Sequence, residues 1–309
     1  MKCAVFGGGG FIGSHLSEAL LVSGHEVTVF DRAEARYLVE LERAGAKLCL
    51  GDFLQAEDAS SVLSGCDLVY HLASATVPQT SNDNPAYDVE VNVLGTLRLL
   101  EAAKNSHVKK FVFSSTGGAV YGVPQELPIK ESHPTDPTSS YGISKLTIEK
   151  YMHLYSILHG LNYCILRIAN AYGERQPATG SQGVIGAFID SAIRDDEIKV
   201  WGDGSVMRDY TYVGDIVNAF VKAGEYEGEH RIFNIGAGRG HSLNEIIEII
   251  EQVIGKPLKV KYLPGRVFDI PVNVLDISRA RTRLNWQPKV GILEGISRAY
   301  EWMMRDQKK

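Results

Sequence analysis

The sequence predicts an α/β fold, a doubly wound parallel sheet covered by helices on both faces and accompanied by a smaller C-terminal lobe. Short runs rich in β-branched and aromatic residues are mainly apolar rather than alternating, which is typical of strands buried on both faces. Longer stretches with helical periodicity separate these runs. Strands that alternate with helices form right-handed crossovers in one parallel sheet. The alternation stops after residue 168, and the smaller lobe is expected beyond it.

The predicted elements of the sheet follow one another along the first 235 residues. The strand-like runs are 3–6, 26–30, 47–50, 68–71, 110–114, 163–168 and 231–235. Helical patterns lie between them near 12–23, 58–64, 87–105, 141–159 and 214–223.

The remaining segments differ in composition, being rich in Gly, Gln, Asp and Pro between residues 171 and 209. Further helices are predicted near 184–194, 243–254, 278–284 and 292–303, and a strand near 258–262. We therefore expect two domains: the sheet domain of residues 1–170 plus about 210–235, and a lobe of residues 171–209 plus 236–309.

Three glycines with Gly-x-x-Gly-x-x-Gly spacing follow the first strand and open the first helix. Gly7 permits a tight turn, Gly10 lets the backbone approach a pyrophosphate, and Gly13 allows helix and strand to pack closely. The helix N-terminus adds free N–H donors and a positive dipole end. A glycine-rich loop without a ligand is the alternative, but the strand–loop–helix context favours a Rossmann-type dinucleotide site.

Asp31 ends the second strand and bears on the choice of dinucleotide. A carboxylate at this position accepts hydrogen bonds from ribose hydroxyls and repels a 2′-phosphate, which favours NAD over NADP. Arg32 argues the other way, because an arginine can hold that phosphate. Asp52, at the end of the third strand, is either an adenine contact or an ordinary loop aspartate.

Tyr141 and Lys145 lie four residues apart at the start of a predicted helix, so their side chains share one face. An ammonium beside a phenol favours the phenolate, and we expect Lys145 to lower the pKa of Tyr141 toward working pH. A tyrosine activated in this way is a general base. The spacing alone is weak evidence, and the glycine loop upstream is what makes it informative.

With the segment from Phe113 to Gly122 added, these motifs resemble the extended short-chain dehydrogenase/reductases. Within them the chain is similar to the NAD-dependent nucleotide-sugar epimerases of the UDP-glucose 4-epimerase type. The resemblance covers nearly the whole chain. Its further motifs are Asn92 with Gly95-Thr96, Asn170-Ala171-Tyr172-Gly173, Gly202-Asp203-Gly204, Arg208-Asp209-Tyr210, and Pro264-Gly265-Arg266 with Asp269.

The resemblance implies a role for each matching residue. Tyr141 takes the proton from the sugar 4-hydroxyl while NAD takes the hydride from C4, Lys145 also bonds the nicotinamide ribose, and the hydroxyl of Thr116 or Ser115 steadies the sugar oxygen. Strand-end hydroxyls that cap a turn are the alternative for Ser115 and Thr116. The implied cofactor contacts are Gly7, Gly10, Phe11, Ile12, Gly13, Asp31, Arg32, Asp52, Phe53, Leu72, Ala73, Asn92, Ser114, Tyr141 and Lys145.

The same segment bears on the type of reaction. Related 4,6-dehydratases carry an Asp-Glu pair just before Val-Tyr-Gly, and related decarboxylases carry a Glu there. This chain has Gly118 and Ala119 at those positions, so the acid needed to eliminate water is missing there. The resemblance therefore favours a transient 4-keto sugar that recovers its hydride.

For the UDP-sugar, the resemblance assigns Arg208 and Arg266 to the diphosphate, because planar guanidinium groups give bidentate bonds to phosphate oxygens. An ion pair between the lobes, with the aspartate that follows it, is the alternative for Arg208. Asn170 is assigned to phosphate or sugar, and Asp269 to the substrate. The family position that lines the sugar pocket is Asn273 here rather than tyrosine, which leaves UDP-Glc/Gal and UDP-GlcNAc/GalNAc both open.

The bulk properties restrict the partners. Net charge is −5 with a pI near 6.0, so no basic field attracts nucleic acid or anionic lipid. No apolar run approaches the roughly 20 residues that span a bilayer, and the first residues do not resemble a signal peptide. The four cysteines and nine histidines form neither a disulfide framework nor a metal-binding spacing. We expect a cytoplasmic protein without a metal, a nucleic-acid partner or a membrane.

The 141–159 helix carries more apolar surface than one face against a sheet consumes. A second buried face implies a partner helix, which the two-fold helical interface of the family would supply in a homodimer. A monomer with an overcovered core is the alternative. Trp201, Trp286 and Trp302 are interpreted as core or lobe-packing anchors.

The sequence thus predicts an NAD-dependent UDP-hexose 4-epimerase. One alternative is a nucleotide-sugar 4-ketoreductase, or another sugar-nucleotide oxidoreductase on the same fold. A non-catalytic nucleotide-binding module is the other alternative, which the unbroken Tyr141/Lys145 motif disfavours.

Overall fold

The computed structural model describes residues 1–52, 54, 56–76, 78–177, 183–265 and 270–306. Its larger part is a seven-stranded sheet in the order β10-β6-β5-β4-β1-β2-β3, and neighbouring strands run parallel throughout. The strands are β1 (Lys2–Phe6), β2 (Glu26–Asp31), β3 (Lys47–Leu50), β4 (Leu68–His71), β5 (Lys110–Thr116), β6 (Tyr163–Ile168) and β10 (Ile232–Ile235). The predicted fold class is confirmed.

Helices cover both faces of this sheet. Val5 shares a core with Leu16 on one face, whereas its neighbour Phe6 shares a core with Leu99 on the other. Successive strand residues point to opposite faces, so two covered faces require strands that are apolar throughout. The covering helices are α1 (Phe11–Val22) and α9 (Val213–Glu225) on the first face, and α3 (Ala56–Leu63), α6 (Gly95–Asn105) and α7 (Ser140–His159) on the second.

The stretch before α6 differs from the single helix predicted at 87–105. It consists of short helices and one π-helical segment, and a further short helix follows β2. These elements are α2 (Leu38–Arg43), α4 (Pro78–Asp83), α5 (Pro85–Asp88) and the π-helical segment Val89–Leu94. A π-helical turn is wider than an α-helical one and often marks a functional site.

The smaller lobe consists of β7 (Asn170–Tyr172), α8 (Val184–Arg194), β8 (Ile198–Trp201), β9 (Met207–Tyr212), β11 (Gly240–Ser242), α10 (Leu243–Ile254), β12 (Val260–Leu263), β13 (Val272–Asn273) and α12 (Ile292–Asp306). Strand β9 pairs with β7, β11 and β13, while β8 pairs with β12. The helices α8, α10 and α12 contact one another, whereas α11 (Ser278–Arg283) contacts β10 of the large sheet. None of the described helices is long and apolar enough to cross a membrane.

Candidate active site

A cleft of about 590 Å³ opens at the carboxyl edge of the large sheet, and residues of both parts of the chain line it. Parallel strands present their carboxyl ends at one edge, and the crevice forms where the strand order reverses, here between β1 and β4. Segments far apart in sequence therefore meet in this cleft. The predicted site residues that line it are Phe11, Ile12, Ser114, Ser115, Thr116, Tyr141, Asn170 and Arg208.

The glycine loop after β1 has the geometry of a phosphate cradle. Gly7 has a φ of +79°, and a Cβ on it would lie 2.7 Å from the backbone nitrogen of Ala73. A Cβ on Gly13 would lie 2.0 Å from the Gly7 carbonyl oxygen, whereas one on Gly10 would meet only that oxygen, at 3.3 Å. Gly10 is the N-cap of α1. The loop thus leaves bare backbone at a helix N-terminus, which fits a dinucleotide.

Asp31 lies beside this loop at the end of β2. Its carboxylate accepts hydrogen bonds from the backbone nitrogens of Gly9 and Arg32, both at 2.8 Å. Burial raises the pKa of Asp31, and the Arg32 side chain is exposed. The Asp52 carboxylate accepts a hydrogen bond from the backbone nitrogen of Leu54 at 3.0 Å. Phe53, another predicted cofactor contact, lies outside the described residues.

Leu72 and Ala73 lie in the loop after β4, directly against the glycine loop. The Asn92 amide is buried behind this loop: its oxygen accepts from the Ala75 backbone nitrogen at 3.1 Å, and its nitrogen donates to the Thr76 hydroxyl at 2.7 Å. The hydrogen bonds of the Asn92 side chain are therefore made within the protein, where they hold the loop after β4 in its conformation.

Tyr141 and Lys145 project from the first turns of α7. The Ser139 hydroxyl caps this helix by accepting from the Gly142 backbone nitrogen at 3.2 Å. The Lys145 ammonium lies 5.6 Å from the centre of the Tyr141 ring and donates to the Ser114 carbonyl oxygen at 3.0 Å. The predicted sharing of one helix face is therefore present in the structure.

The predicted lowering of the Tyr141 pKa is wrong, because the residues around the phenol raise this pKa. Burial raises the pKa of Tyr141 to about 12, and the nearby Asp88 carboxylate adds to the rise. Burial also lowers the pKa of Lys145 to about 8, against the opposing effect of Asp88 and Glu149. Desolvation disfavours the charged form of each group, and for the phenol the Asp88 carboxylate acts in the same direction.

Ser115 and Thr116 have different environments at the end of β5. The Ser115 hydroxyl donates to the Glu149 carboxylate at 2.5 Å, and Glu149 forms an ion pair with Arg167 at 2.6 Å in which each side chain is 3% exposed. The Thr116 hydroxyl accepts from the Gly118 backbone nitrogen at 3.2 Å, which leaves its proton for another acceptor. Thr116 is thus the better placed donor into the cleft.

Arg208 reaches the cleft from β9, where its guanidinium donates to the carbonyl oxygens of Met207 at 2.9 Å and Ile270 at 2.6 Å. The Asp209 carboxylate accepts from the backbone nitrogens of Ala237 at 2.6 Å and Gly238 at 3.1 Å. Asp209 thereby ties β9 to the loop after β10 through backbone donors, which differs from the predicted alternative of an ion pair with Arg208.

The other predicted substrate residues are placed as follows. The Asn170 amide donates to the Asp209 carbonyl oxygen at 3.1 Å. Asn273 is 2% exposed, and its amide donates to the Gly117 carbonyl oxygen at 3.3 Å, so it lies behind the loop after Thr116 rather than on the cleft surface. Arg266 and Asp269 lie outside the described residues.

Trp201 is a cleft residue that the sequence interpretation missed. It is 41% exposed and lines the cleft, so its interpretation as a packing anchor is wrong, whereas Trp286 is buried as expected. The alternation of β8 carried the signal: Ile198 and Val200 are buried, and Lys199 and Trp201 are exposed. An exposed tryptophan beside a cleft offers a flat surface on which a nucleobase can stack.

Comparison with known proteins agrees with this geometry. A putative UDP-glucose 4-epimerase from Methanocaldococcus jannaschii is 37% identical over 305 residues, which cover 98% of this chain and 99% of that protein. The UDP-glucose 4-epimerase of Thermotoga maritima, solved with UDP-glucose, superposes with a TM-score of 0.95 at 36% identity over 99% of this chain and 100% of that one. The Thermus thermophilus UDP-glucose 4-epimerase, solved with NAD, gives 0.91 at 35% identity over 98% and 99%.

The model of the NAD dependent epimerase/dehydratase family matches residues 3–236, most of the chain. The predicted cofactor, NAD, is therefore confirmed. The chain belongs to the NAD-dependent epimerase/dehydratase family, as an extended short-chain dehydrogenase/reductase of the UDP-sugar epimerase type.

Proposed function

We propose that Tyr141, Lys145 and Thr116 carry out the NAD-dependent epimerisation of a UDP-hexose at C4. The epimerase relatives confirm the reaction class itself. The observation that supports the assignment of residues is the cleft, which gathers Tyr141 and Thr116 with Arg208 of the smaller lobe and Phe11 of the glycine-loop helix. This arrangement suits a substrate whose reacting carbon, diphosphate and dinucleotide partner must lie within one site.

In the proposed reaction the Tyr141 phenolate accepts the proton of the sugar 4-hydroxyl and returns it when the 4-keto group is reduced. When bound, oxidised NAD supplies a reversible hydride acceptor and a further positive charge. Because burial raises the pKa of Tyr141 to about 12, the phenolate needs positive charge nearby. The Lys145 ammonium is the part of that charge which the chain provides.

We assign the hydroxyl that steadies the sugar oxygen to Thr116 rather than Ser115. The Ser115 hydroxyl already donates its proton to the buried Glu149 carboxylate. Among the described residues the Thr116 hydroxyl accepts from the Gly118 backbone nitrogen and donates to no group, so its proton is available to a developing negative charge on the substrate.

For the UDP moiety we propose that Arg208 binds the diphosphate, that Asn170 contacts phosphate or sugar, and that the Trp201 side chain, which is 41% exposed and lines the cleft, stacks on the uracil ring. Arg266 and Asp269 are proposed from the family motif to complete this site. Asn273 is proposed to influence the choice of sugar through the Gly117 loop, to which its amide donates.

A label-retention experiment tests the reaction against its main alternative. UDP-glucose deuterated at C4 is incubated with the purified protein and NAD, without NADH or NADPH. We expect UDP-galactose that keeps its deuterium at C4, because the same hydride is removed and returned. A net 4-ketoreductase would form no epimer under these conditions, because its reaction needs a stoichiometric supply of NADH or NADPH.

The preferred hexose is tested by comparing substrates. The protein is incubated separately with UDP-glucose, UDP-N-acetylglucosamine and UDP-glucuronic acid, and the C4 epimer of each is quantified by NMR.

If Asn273 affects sugar choice through the Gly117 loop, Asn273→Tyr changes the ratio of kcat/KM for the N-acetylated and plain sugars. An unchanged ratio would remove Asn273 from the proposal.

A homodimer is proposed from the outer face of α7. Ile157 and Leu158 are 67% and 62% exposed there, accompanied by the exposed Ile143 and Leu154, and an apolar helix face of this kind suits a two-fold interface. Light scattering is expected to give twice the chain mass of 33.9 kDa, and Ile157→Asp a monomer. Leu293→Asp, on the exposed surface of α12, is the matched control.

A cytoplasmic location is proposed because the four cysteines are free thiols, as expected in a reducing compartment. Cell fractionation tests it.

The domain division proposed from the sequence is residues 1–170 plus about 210–235 against 171–209 plus 236–309. Native-state hydrogen exchange tests it, because the amides within one domain should open together.

A further inference from the structure

Asp88, at the end of α5, is a fully buried carboxylate, with 0% of its surface exposed. One of its oxygens accepts hydrogen bonds from the Thr76 hydroxyl and, at 2.9 Å, from the Asn92 amide. The other oxygen accepts from the hydroxyls of Ser140 at 3.0 Å and Ser144 at 2.5 Å. A buried charge is unfavourable unless its hydrogen bonds are made, and here four uncharged donors satisfy it.

The four donors come from three elements on two sides of the carboxylate. Thr76 lies in the loop that follows β4 and packs against the glycine loop, and Asn92 lies on the π-helical segment. Ser140 and Ser144 lie beside Tyr141 on α7. A single carboxylate therefore joins the cofactor loop to the helix that carries the proposed base, and a shift of α7 away from Asp88 would lengthen both serine hydrogen bonds.

The first turn of α7 is held by two further contacts from the same side. The Tyr141 backbone nitrogen donates to the Ser81 hydroxyl at 3.0 Å, and the Ser140 backbone nitrogen donates to the Asn82 side-chain oxygen at 2.9 Å. Ser81 and Asn82 lie on α4. These bonds fix the start of the helix, and Asp88 fixes the face on which Ser144 and Lys145 lie.

Asp88 also contributes charge to the surroundings of Lys145. The charged or titratable groups that face Lys145 are Asp88 of α5, Glu149 and Tyr141 of its own helix, and His71 of β4. Burial lowers the pKa of His71 to about 3, so this imidazole is neutral. The negative charges of Asp88 and Glu149 raise the pKa of Lys145 against the effect of burial.

We propose that Asp88 is a positioning residue, which fixes Tyr141 and Lys145 against the loop after β4 and supplies a buried negative charge that favours the Lys145 ammonium. The proposal rests on the roles proposed above for Tyr141 and Lys145. A residue that only filled space would tolerate a neutral isostere without a change in the titration of Lys145. Asp88→Asn is such an isostere, because it keeps the shape and removes the charge.

The first test uses the cofactor-free protein and needs no catalysis, so it stands even if the proposed function fails. Thermal midpoints are measured against pH for the wild type, Asp88→Asn, Lys145→Met and the double variant, and the double-mutant cycle isolates the Lys145 contribution. We expect the lower edge of the pH window of that contribution to move to lower pH by about one pH unit in the Asp88→Asn background, because the folded-state pKa of Lys145 falls while its unfolded value stays the same. Asp83→Asn, exposed on α4, should leave the window in place. An unmoved window in Asp88→Asn would overturn the charge role.

The second test separates position from charge by activity. Asp88→Asn is expected to lower kcat by about 10- to 100-fold. As the pH is raised, its activity should also decline at a lower pH than that of the wild type, because the Lys145 ammonium loses its proton earlier. The Ser140→Ala/Ser144→Ala variant keeps Asp88 and the backbone bonds to α4 but removes the hydrogen bonds from α7 to the carboxylate, so its kcat should fall while the pH at which activity declines stays the same. If Asp88→Asn does not fold, this serine variant decides: wild-type kcat in it would overturn the positioning role.

Discussion

The Lys145 ammonium lies 5.6 Å from the centre of the Tyr141 ring, and its own hydrogen bond goes to the carbonyl oxygen of Ser114, 3.0 Å away. Ser114 belongs to β5, the strand that also carries Thr116. One ammonium thus joins the helix of the proposed base to the strand of the proposed hydroxyl. Burial opposes the charged form of both Tyr141 and Lys145, so the site holds its charges at the expense of stability, as functional sites often do.

The burial of Lys145 predicts a pH-dependent effect on stability in the cofactor-free protein. Its pKa is about 8 against an ordinary value of 10.5, so between these values the folded protein binds fewer protons than the unfolded chain. Stability due to this group therefore rises with pH across that window and is lowest below pH 8. Lys145→Met should raise the thermal midpoint by a few degrees at pH 7, and the gain should shrink toward pH 10.5. A midpoint below that of the wild type at pH 7 would contradict this.

The two neighbouring hydroxyls of β5 predict opposite phenotypes. Thr116→Val should lower kcat by about 10²-fold, because a donor to the developing negative charge is lost, with little change in stability. Ser115→Ala leaves the buried Glu149 short of a donor and should reduce the free energy of unfolding by about 1–3 kcal/mol, with kcat close to that of the wild type. Steady-state kinetics and urea unfolding of both variants decide, and the reverse pattern would assign the role to Ser115.

Asp31 should determine the preference for NAD. Asp31→Ser removes the carboxylate that the backbone of Gly9 and Arg32 holds beside the glycine loop. We expect NAD affinity to fall by about tenfold, the effect of 1.4 kcal/mol, and NADP affinity to rise, because the repulsion of a 2′-phosphate is gone. Calorimetry with both dinucleotides measures this. Equal losses for NAD and NADP would show that Asp31 does not discriminate between them.

Arg208 should act on the UDP moiety. Arg208→Lys keeps the positive charge but loses the planar fork, so we expect the Kd for UDP to rise by about tenfold, or 1.4 kcal/mol. Affinity for NAD should be unchanged, and this measurement serves as the internal control for folding. A Kd for UDP equal to that of the wild type would place the diphosphate elsewhere in the cleft.

The large sheet could be predicted from the sequence because its strands are covered on both faces, which leaves continuous apolar runs such as residues 3–6. The helical stretch before Gly95 could not be resolved in the same way. Apolar periodicity does not distinguish α-helical from π-helical bonding, so the Val89–Leu94 segment was absorbed into one predicted helix. The short α2 has only Leu38 and Leu41 buried, too few for a periodic signal.

At the site, spacing along one helix was sufficient to place Tyr141 and Lys145 on one face. The direction of the Tyr141 pKa shift could not be predicted from the spacing, because desolvation depends on which residues the tertiary structure packs over the phenol. Likewise the bond from Ser115 to Glu149 spans two elements. The role of Trp201 depended on which side of β8 borders the cleft, and only the tertiary structure gives that information.

The kcat of Tyr141→Phe tests the central claim most directly. The variant removes one hydroxyl from a half-buried ring, so the fold and the binding of NAD and UDP should be retained. We predict that the rate of UDP-hexose C4 epimerisation falls by about 10²- to 10⁴-fold, the usual contribution of a general acid–base group. A Tyr141→Phe enzyme that interconverts the C4 epimers at the wild-type rate would contradict the account.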